Sequence, residues 1–349
     1  MTSMPSQAFT DAPVILITGS TGMVGTYLLM HAAARKGRIL AAYRNPASRR
    51  RTESLLRHYG REEVLSRTEW IRMDLTDPCS VDEAVERADA IFHAAAHIGF
   101  SPSDKRKIYA ANVEGTARLV NAALHRKISY FMHVSSVAAL GGNDRPKTEK
   151  SVWTWSKPAT VYAASKFLGE MEVWRGFEEG LKGAVINPSI IIAPGFYDRG
   201  VGKMVRKLHQ RKLPVTTSGS NGFVDVRDVA EIMWKLYEKR VHGERFIVNA
   251  GHMSFQELAE ILARHLKVPP PRFSLPRHVA RLLTRLYNPL ARITGMKIID
   301  DTVLAALYDT DMYDNSKIVS LLGYRFIPLE ESLRNLVEDY LKFSGFESG

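Results

Sequence analysis

Short apolar runs alternate with longer amphipathic stretches through the first half of the chain. The apolar runs are rich in Val, Ile and Ala, whereas the stretches between them space their apolar residues as helices do. Candidate strands cover residues 14–18, 39–43, 69–73, 90–93, 130–135 and 183–186. Strands that alternate with helices in this way form parallel sheets. The pattern therefore predicts an α/β fold built on a doubly wound parallel sheet.

The regular alternation ends after residue 191. Proline and glycine, which interrupt helices and strands, become frequent at residues 187–202 and 269–276. Residues 245–249 again have the composition of a strand, and we expect this segment to return to the main sheet. The pattern therefore predicts three parts: a flexible tail (1–12), a main domain (13–190, with 222–250 returning to it) and a smaller C-terminal lobe (191–221 and 251–349).

One predicted helix of the smaller lobe, residues 276–288, separates apolar from basic residues clearly. Its two faces carry Val279, Leu282, Leu283 and Leu286 on one side and Arg277, Arg281 and Arg285 on the other. Such a helix can pack on a protein core or lie on an anionic membrane surface. Because amphipathic surface helices are common in globular proteins, we expect no membrane association and predict that Leu282 and Leu286 are buried.

The composition limits the possible environments and partners. Of 349 residues, 45% are hydrophobic, which is enough for a large core, and the single cysteine, Cys79, excludes an internal disulfide. The N-terminal residues do not have the pattern of a signal peptide, and no apolar run approaches the roughly 20 residues that span a bilayer. The net charge is +11, but the basic residues are dispersed, so we expect no nucleic-acid partner. We expect a cytoplasmic protein.

A glycine-rich loop follows the first predicted strand directly. Residues 18–25 read TGSTGMVG. Glycines in this position allow a tight turn, a close approach of backbone N–H groups to a pyrophosphate, and close packing of the next helix, whose N-terminus favours an anion. We expect a dinucleotide to bind at Gly19, Ser20, Thr21, Gly22, Met23, Val24 and Gly25. The main domain is therefore predicted to be a dinucleotide-binding domain of the Rossmann type, and the smaller lobe a substrate-binding lobe.

Two further signals indicate hydroxyl and amine chemistry. Tyr162 and Lys166 are about one helical turn apart and therefore share a helix face. Upstream, a predicted strand ends in Ser135 and Ser136. A serine at a strand end can donate a hydrogen bond to a substrate oxygen. A tyrosine beside a lysine can exchange protons, because the cation lowers the phenol pKa from its ordinary value of about 10.

These motifs, in this order, resemble the extended short-chain dehydrogenase/reductase family, and the resemblance spans about residues 14–341. It implies that Tyr162 is the general acid or base and that Ser136 stabilises the charge on the substrate oxygen. It also implies that Lys166 tunes Tyr162 and holds the nicotinamide ribose. The family's spacing to Gly141 favours Ser136 over Ser135. Members of the family often form homodimers, which makes a homodimer a candidate assembly here.

Three strand ends in this family contact the cofactor: at the adenine, under the ribose and at the nicotinamide carboxamide. The residues in these places are, in that order, Asp74 and Leu75, then Ala94, Ala95 and Ala96, then Pro188 and Ser189. His93 directly precedes the alanines, and we expect it to have a structural role. We predict no metal site.

The end of the second strand indicates which dinucleotide binds. A carboxylate about 20 residues past the glycines would bind the ribose 2′-hydroxyl of NAD. Here the strand is followed by Arg44 and no carboxylate. A guanidinium can form charge-assisted hydrogen bonds with the 2′-phosphate of NADP, and Arg49 or Arg50 would help it. We therefore expect NADP, with NAD as the alternative in which Arg44 is a solvated loop residue.

The residues after Ser136 narrow the reaction. Many 4,6-dehydratases of the family have an Asp-Glu pair there, whereas this chain has Val137 and Ala138. Residues 217–223 lack the arginine that commonly grips a sugar-nucleotide diphosphate, and the segments INPSIIIAPG and GFVDVRDVA resemble dihydroflavonol reductases. We therefore expect an NADP-dependent oxidoreductase that reduces a ketone or aldehyde, or oxidises the alcohol. The alternatives are a nucleotide-sugar epimerase and a non-enzymatic cofactor-sensing regulator.

Overall fold

The computed structural model of the protein describes residues 12–99, 104–142, 144–155, 159–294 and 301–346, so most of the predicted tail lies outside the described residues. The strands, in chain order, are β1 (Val14–Thr18), β2 (Arg38–Tyr43), β3 (Thr68–Arg72), β4 (Ala90–His93), β5 (Tyr130–Val134), β6 (Gly183–Pro188), β7 (Ile190–Ile192), β8 (Val215–Thr217), β9 (Ser220–Asp225), β10 (Glu244–Val248), β11 (Gly251–Ser254) and β12 (Phe273–Leu275). The α-helices are α1 (Met23–Ala32), α2 (Pro46–His58), α3 (Pro78–Glu86), α4 (Lys105–Tyr109), α5 (Gly115–His125), α6 (Val161–Glu178), α7 (Gly200–His209), α8 (Val226–Glu238), α9 (Phe255–Leu266), α10 (Arg277–Thr294), α11 (Asp301–Ala306), α12 (Ser316–Leu322) and α13 (Leu329–Phe346).

Seven of these strands form one sheet in the order β3-β2-β1-β4-β5-β6-β10. Each neighbouring pair runs parallel. The direction of winding reverses between β1 and β4, and ligands of open α/β sheets bind outside the carboxyl ends of the strands at such a point. The doubly wound α/β fold predicted from the sequence is confirmed, and the strand predicted near residue 245 lies at the sheet edge as β10.

Alternate residues of the central strands contribute to two separate cores. Ile15 and Ile17 of β1 pack on one face of the sheet, and Leu16 packs on the other. The first core includes α1 and α8, and Trp234 of α8 lies against Phe92 with ring centroids 4.9 Å apart. The second core includes α3, α5 and α6. Both faces of the sheet are covered, which explains why its strands are nearly continuous apolar runs.

Capping residues explain where several helices begin. Asn45 and Asp77 each accept a hydrogen bond from the N–H two residues on, and a proline follows each of them in the first turn of α2 and α3. Thr160 caps α6 by accepting from the N–H of Ala163 at 3.0 Å. This cap sets the start of the helix that carries Tyr162.

The smaller lobe has its own sheets and its own core. β7, β9 and β11 form a three-stranded sheet, β8 pairs with β12, and α7, α9 and α13 contribute to a third core. Within the segment 222–250, α8 packs on α1 and β10 lies in the main sheet, whereas residues 222–225 belong to β9 in the small sheet. Asp225 explains this boundary, because it ends β9 and also caps α8 through the N–H of Arg227 at 2.9 Å.

The apolar face of α10 is not buried as the sequence predicts. Leu282, Leu283 and Leu286 are 58%, 52% and 68% exposed. Among the positions of this helix whose side chains are described, the buried ones are small residues on a different face, namely Ala280, Thr284 and Ala291. The helix thus turns its small residues inward and its leucines to solvent. The prediction that Leu282 and Leu286 are buried is therefore wrong. No helix in the described part of the chain is long and apolar enough to cross a membrane.

Candidate active site

The loop after β1 forms a cradle that accommodates only glycine at two positions. Gly19 has a φ of +66°, and a Cβ there would lie 2.6 Å from the Cα of Ala95. A Cβ on Gly25 would lie 2.1 Å from the carbonyl oxygen of Gly19. Side-chain carbons cannot approach backbone so closely, so the loop, β4 and the start of α1 pack together only because these residues are glycines. The cradle fits a bound pyrophosphate.

A cavity of about 290 Å³ lies at the carboxyl ends of β1 to β4, where the winding reverses. Its wall includes many of the predicted cofactor residues: Gly19, Thr21, Gly22, Arg44, Asp74, Leu75, Ala94, Ala95 and Ala96. Three other predicted residues direct their side chains elsewhere. The hydroxyl of Ser20 donates to the carbonyl of Ala42 at 2.6 Å, and Met23 and Val24 pack in the core. Their contact with a ligand is therefore restricted to the backbone.

Basic and hydroxyl side chains surround the cavity near the end of β2. Besides Arg44, the wall includes Ser48 and Arg51 of α2 and Arg199 before α7. Both Arg51 and Arg199 pair with Asp198, at 3.3 and 2.7 Å. The sequence analysis missed Ser48, Arg51 and Arg199. The spacing of Ser48 and Arg51 could have revealed these two, because residues three apart share a helix face.

Arg49, which was expected to help Arg44, is engaged elsewhere. It donates to Glu53 at 2.8 Å, and its guanidinium lies over the rings of Tyr43 and Trp70, 5.5 and 5.3 Å from their centroids. Arg51, two residues on, lines the cavity instead. Of the consecutive arginines at 49–51, Arg51 therefore lines the cavity, whereas Arg49 contacts Glu53 and two aromatic rings.

Asp74 is held by its own turn after β3. Its carboxylate accepts hydrogen bonds from the N–H and the hydroxyl of Thr76 at 2.9 and 2.8 Å. Partial burial raises the pKa of Asp74, but these hydrogen bonds and the charge of Arg44 together outweigh it and lower the pKa. The carboxylate therefore stays charged at neutral pH and can accept hydrogen bonds from a ligand in the cavity.

Ser136 and Tyr162 meet at the carboxyl end of β5. The side chain of Ser136 caps the short helical turn that follows it, accepting from the N–H of Ala138 at 3.1 Å, and it also hydrogen-bonds the hydroxyl of Tyr162. Ser135 is different: its hydroxyl is buried and has no hydrogen-bond partner among the described residues. Of the two serines, it is Ser136 that contacts the tyrosine.

Lys166 lies one turn further along α6 and is buried. Its ammonium donates to the carbonyl oxygen of Val134 at 2.8 Å. Burial lowers the pKa of Lys166 to about 8, and the charge of Glu170 opposes this effect. Burial raises the pKa of Tyr162, and the hydrogen bond from Ser136 opposes it. The Lys166 ammonium is thus directed to the backbone of β5, and the tuning of Tyr162 by Lys166 stays a prediction.

Glu170 connects α6 to the sheet below it. Its carboxylate pairs with Arg245 of β10 at 3.1 Å and accepts from the side-chain amide of Asn187 at 2.8 Å. The same amide donates to the carbonyl of Ser136 at 3.1 Å. The side chain of Glu170 is fully buried. This chain of contacts fixes the distance between α6 and the end of β5. The contact between Ser136 and Tyr162 depends on that distance.

A family comparison agrees with this geometry. The model of the NAD dependent epimerase/dehydratase family matches residues 15–251, which include the glycine cradle, the cavity and the Ser136, Tyr162 and Lys166 site. The chain belongs to this family. It is an NAD(P)-dependent enzyme of the extended short-chain dehydrogenase/reductase type, and its relatives place it in the dihydroflavonol-reductase-like part of the family.

Individual relatives are distant but cover most of the chain. Sterol demethylase protein B of Methylococcus capsulatus is 27% identical over 79% of this chain and 82% of its own length. Dihydroflavonol 4-reductase of Callistephus chinensis is 24% identical over 82% and 81%. The crystal structure of gox2253 has a TM-score of 0.81 at 26% identity and covers 95% of this chain and 98% of its own. Two further structures of this fold, 16% and 17% identical, contain NAD.

Asn112 is a residue of the site that the sequence analysis missed. It lies in a π-helical turn, Ala110–Glu114, between α4 and α5, and such turns are frequent at functional sites. Its side chain accepts from the N–H of His97 at 2.7 Å and donates to the hydroxyl of Ser165 at 3.0 Å. It thus joins the loop after β4 to α6. A Cβ on Gly169 would lie 2.2 Å from the Asn112 carbonyl oxygen, so glycine is needed at 169 for α6 to pack against the backbone of Asn112.

The remaining predicted residues near the site have structural contacts. His93 is buried and hydrogen-bonds Thr18 at 2.7 Å and Thr116 at 3.0 Å, and burial lowers its pKa to about 3. It is therefore a neutral residue of the core. The N–H of Ser189, which follows Pro188 at the end of β6, donates to the carbonyl of Val248 at 3.1 Å. Among the described residues no cluster of His, Cys, Asp and Glu could hold a metal ion.

Proposed function

We propose that the protein transfers hydride between NADP and a small carbonyl or alcohol substrate. The observation that carries this proposal is the contact between the hydroxyls of Ser136 and Tyr162, with Lys166 one turn away. Two hydroxyl donors are thus available for one substrate oxygen, with a lysine close to them. Val137 and Ala138 follow Ser136, so no acid–base pair for water elimination adjoins it. These features support reduction of a ketone or aldehyde, or the reverse oxidation.

The roles of the three residues follow from their hydrogen-bonding groups. Bound NADPH would supply the hydride that the substrate's carbonyl carbon accepts. As that bond forms, the electron pair of the C=O bond moves to oxygen, where Ser136 donates a hydrogen bond and Tyr162 delivers its proton. Burial keeps the pKa of Tyr162 high, so the phenol holds this proton until the oxygen becomes basic. The charged form of Lys166 stabilises the tyrosinate that remains.

The cavity wall near β2 supports NADP as the cofactor. Arg44, Ser48 and Arg51 lie at the place where the ribose 2′ position is expected, and all three can donate hydrogen bonds to a phosphate. Of the carboxylates near this wall, Asp198 pairs with Arg51 at 3.3 Å, and Asp74, which follows β3, accepts hydrogen bonds from Thr76. Family membership alone does not choose between the two cofactors, so this part of the proposal depends on the arginines.

Cofactor affinity tests the choice of NADP. We expect NADPH to bind at least about tenfold tighter than NADH, a difference of about 1.4 kcal/mol that one or two charge-assisted hydrogen bonds can supply. The double variant Arg44→Gln with Arg51→Gln should remove this preference by weakening NADPH alone. Arg57→Gln, on the same helix but outside the cavity wall, is the matched control. Equal dissociation constants for the wild-type protein would overturn the proposal.

A nucleotide-sugar epimerase is the second candidate, since the family description favours it. The oxidised cofactor would then accept a hydride from a sugar carbon while Tyr162 takes the hydroxyl proton, and the reduced cofactor would return the hydride to the other face of the ketone. A panel of ketones, aldehydes and nucleotide sugars separates the two. Consumption of NADPH that depends on a carbonyl substrate supports the reductase. Interconversion of UDP-glucose and UDP-galactose with no net change in cofactor supports the epimerase.

A further inference from the structure

The solvent side of α10 carries two adjacent surfaces of different chemistry. The leucine surface consists of Leu282, Leu283 and Leu286, each more than half exposed. The arginine surface consists of Arg277, Arg281 and Arg285, which are also exposed. The helix is 18 residues long and contains no acidic residue. Its charge is thus not compensated within the helix, although Arg277 lies 3.9 Å from Asp309.

Because these leucines are exposed, the expectation of no membrane association loses its basis. We propose that α10 docks the protein on the surface of a lipid bilayer that contains anionic lipids. A helix with this division of residues lies in the plane of the interface, with its apolar side chains among the upper parts of the acyl chains and its arginines at the phosphates. Ala280, Thr284 and Ala291 attach the helix to the lobe. The leucine surface and the exposed side chains of Arg281 and Arg285 can meet lipid, whereas Arg277 lies beside Asp309.

Two further apolar side chains are exposed on segments that lie near α10 in the chain. Phe273 of β12, just before α10, is 58% exposed, and Leu307, just after α11, is 39% exposed. The hydroxyl of Tyr308 donates to the carbonyl of Leu275 at 2.8 Å, which holds the end of α11 against β12. Exposed apolar side chains on elements that adjoin one helix are typical of an interaction surface, in contrast to single exposed residues that are scattered.

Area and charge favour a membrane over a second copy of the chain as the occupant. Together the three leucines expose less than two whole leucine residues, whereas a stable protein interface buries roughly 800 Å² per partner. Insertion into lipid has no such requirement, because a few apolar side chains and a few arginines add their contributions. The protein as a whole has a net charge of +11, which also favours an anionic surface.

Vesicle binding by the full chain tests the proposal. The purified protein is sedimented with vesicles of phosphatidylcholine alone and of phosphatidylcholine mixed equally with phosphatidylglycerol, at low and high salt. We expect binding to the mixed vesicles only, weakened by salt. Arg281→Gln with Arg285→Gln should lower the partition coefficient about 30-fold, the combined contribution of two arginines at an anionic surface. Leu282→Ser with Leu286→Ser should lower it at least about tenfold.

Matched controls separate docking from general charge and folding effects. Arg57→Gln with Arg325→Gln removes the same charge from exposed positions outside α10, and Leu321→Ser changes a leucine that is 42% exposed. Both should bind as the wild type does. Binding that the α10 variants leave unchanged, or no binding at all, overturns the proposal. So does a concentration-dependent dimer that only the leucine variant dissociates, which would make a second copy the occupant. None of these measurements involves hydride transfer.

Discussion

Two helices of equal length, α6 and α10, differ in which residues they bury: α6 buries polar side chains, whereas α10 exposes leucines. Each has 18 residues. In α6 the buried positions include Ser165, Lys166 and Glu170. In α10 the exposed positions include Leu282 and Leu286. A rule that places polar residues outside and apolar residues inside is wrong for both helices.

The difference lies in what each helix meets. Each buried polar group of α6 has a specific partner: Ser165 accepts from Asn112, Lys166 donates to Val134, and Glu170 pairs with Arg245. A buried polar group with a partner loses little of its hydrogen bonding. α10 instead meets the lobe through small residues, and its leucines face away from the protein. Burial therefore follows from the partners that tertiary packing supplies, and polarity alone does not predict it.

The largest expected effect tests whether the polar face of α6 is functional. Tyr162→Phe should reduce turnover about 1,000-fold, since positioned proton transfer contributes 10²- to 10⁴-fold. Binding of NADPH and thermal stability should change little, because the phenol proton acts in the chemical step. Steady-state rates with an accepted carbonyl substrate check this. Near-normal turnover would mean that Tyr162 is not the proton donor and that the polar face of α6 has only a structural role.

The next effect tests whether the buried charge of α6 depends on its partner. Glu170→Gln leaves the guanidinium of Arg245 without its counter-charge and should lower the free energy of unfolding by roughly 3 kcal/mol, as removal of one partner of a buried pair does. Glu172→Gln, on the same helix in a partly exposed pair with Arg175, is the control and should cost less than about 1 kcal/mol. Urea unfolding measures both. Equal losses of unfolding free energy in the two variants would show that burial of the pair between Glu170 and Arg245 does not contribute to stability.

A pH profile sharpens the role of Lys166. The lysine cation exists below its pKa, which is about 8, so turnover in reduction should fall as pH rises past this value, by up to about tenfold per pH unit. Glu170 holds the pKa of Lys166 up, and Glu170→Gln should move the fall to lower pH. Lys166→Arg keeps its charge, so any residual activity should lack the fall. A wild-type profile that stays flat to pH 10 would contradict the assigned role.

The smallest effect concerns α10. Leu282→Ala should change the free energy of unfolding by less than about 0.5 kcal/mol, because an exposed side chain makes few contacts to lose. Leu262→Ala, a fully buried leucine of α9 in the same lobe, should cost about 3 kcal/mol. Urea unfolding of the two variants gives the comparison directly. A large loss from Leu282→Ala would mean that the leucine surface is covered in the free protein.

Features encoded by short stretches of sequence were predicted from the sequence. The strands of the main sheet are found within about two residues of the predicted limits, because period and composition are local properties. The glycine loop and the pair of Tyr162 and Lys166 each lie within a short contiguous stretch of the chain, so their spacing was enough to indicate them. The structure brings Ser136 to Tyr162 as the family resemblance implies. The assignment of roles to these residues remains a prediction.

Contacts between distant segments were decided by tertiary structure alone. Arg245 and Glu170 are 75 residues apart in the chain, and Asn112 and Ser165 are 53 apart. Periodicity within one helix shows which residues share a face, but not which face is turned to the protein. That choice depends on the shape and hydrogen-bonding groups of the elements opposite. For this reason α10 could be predicted as an amphipathic helix from its sequence, whereas the exposure of its leucines required the packed lobe.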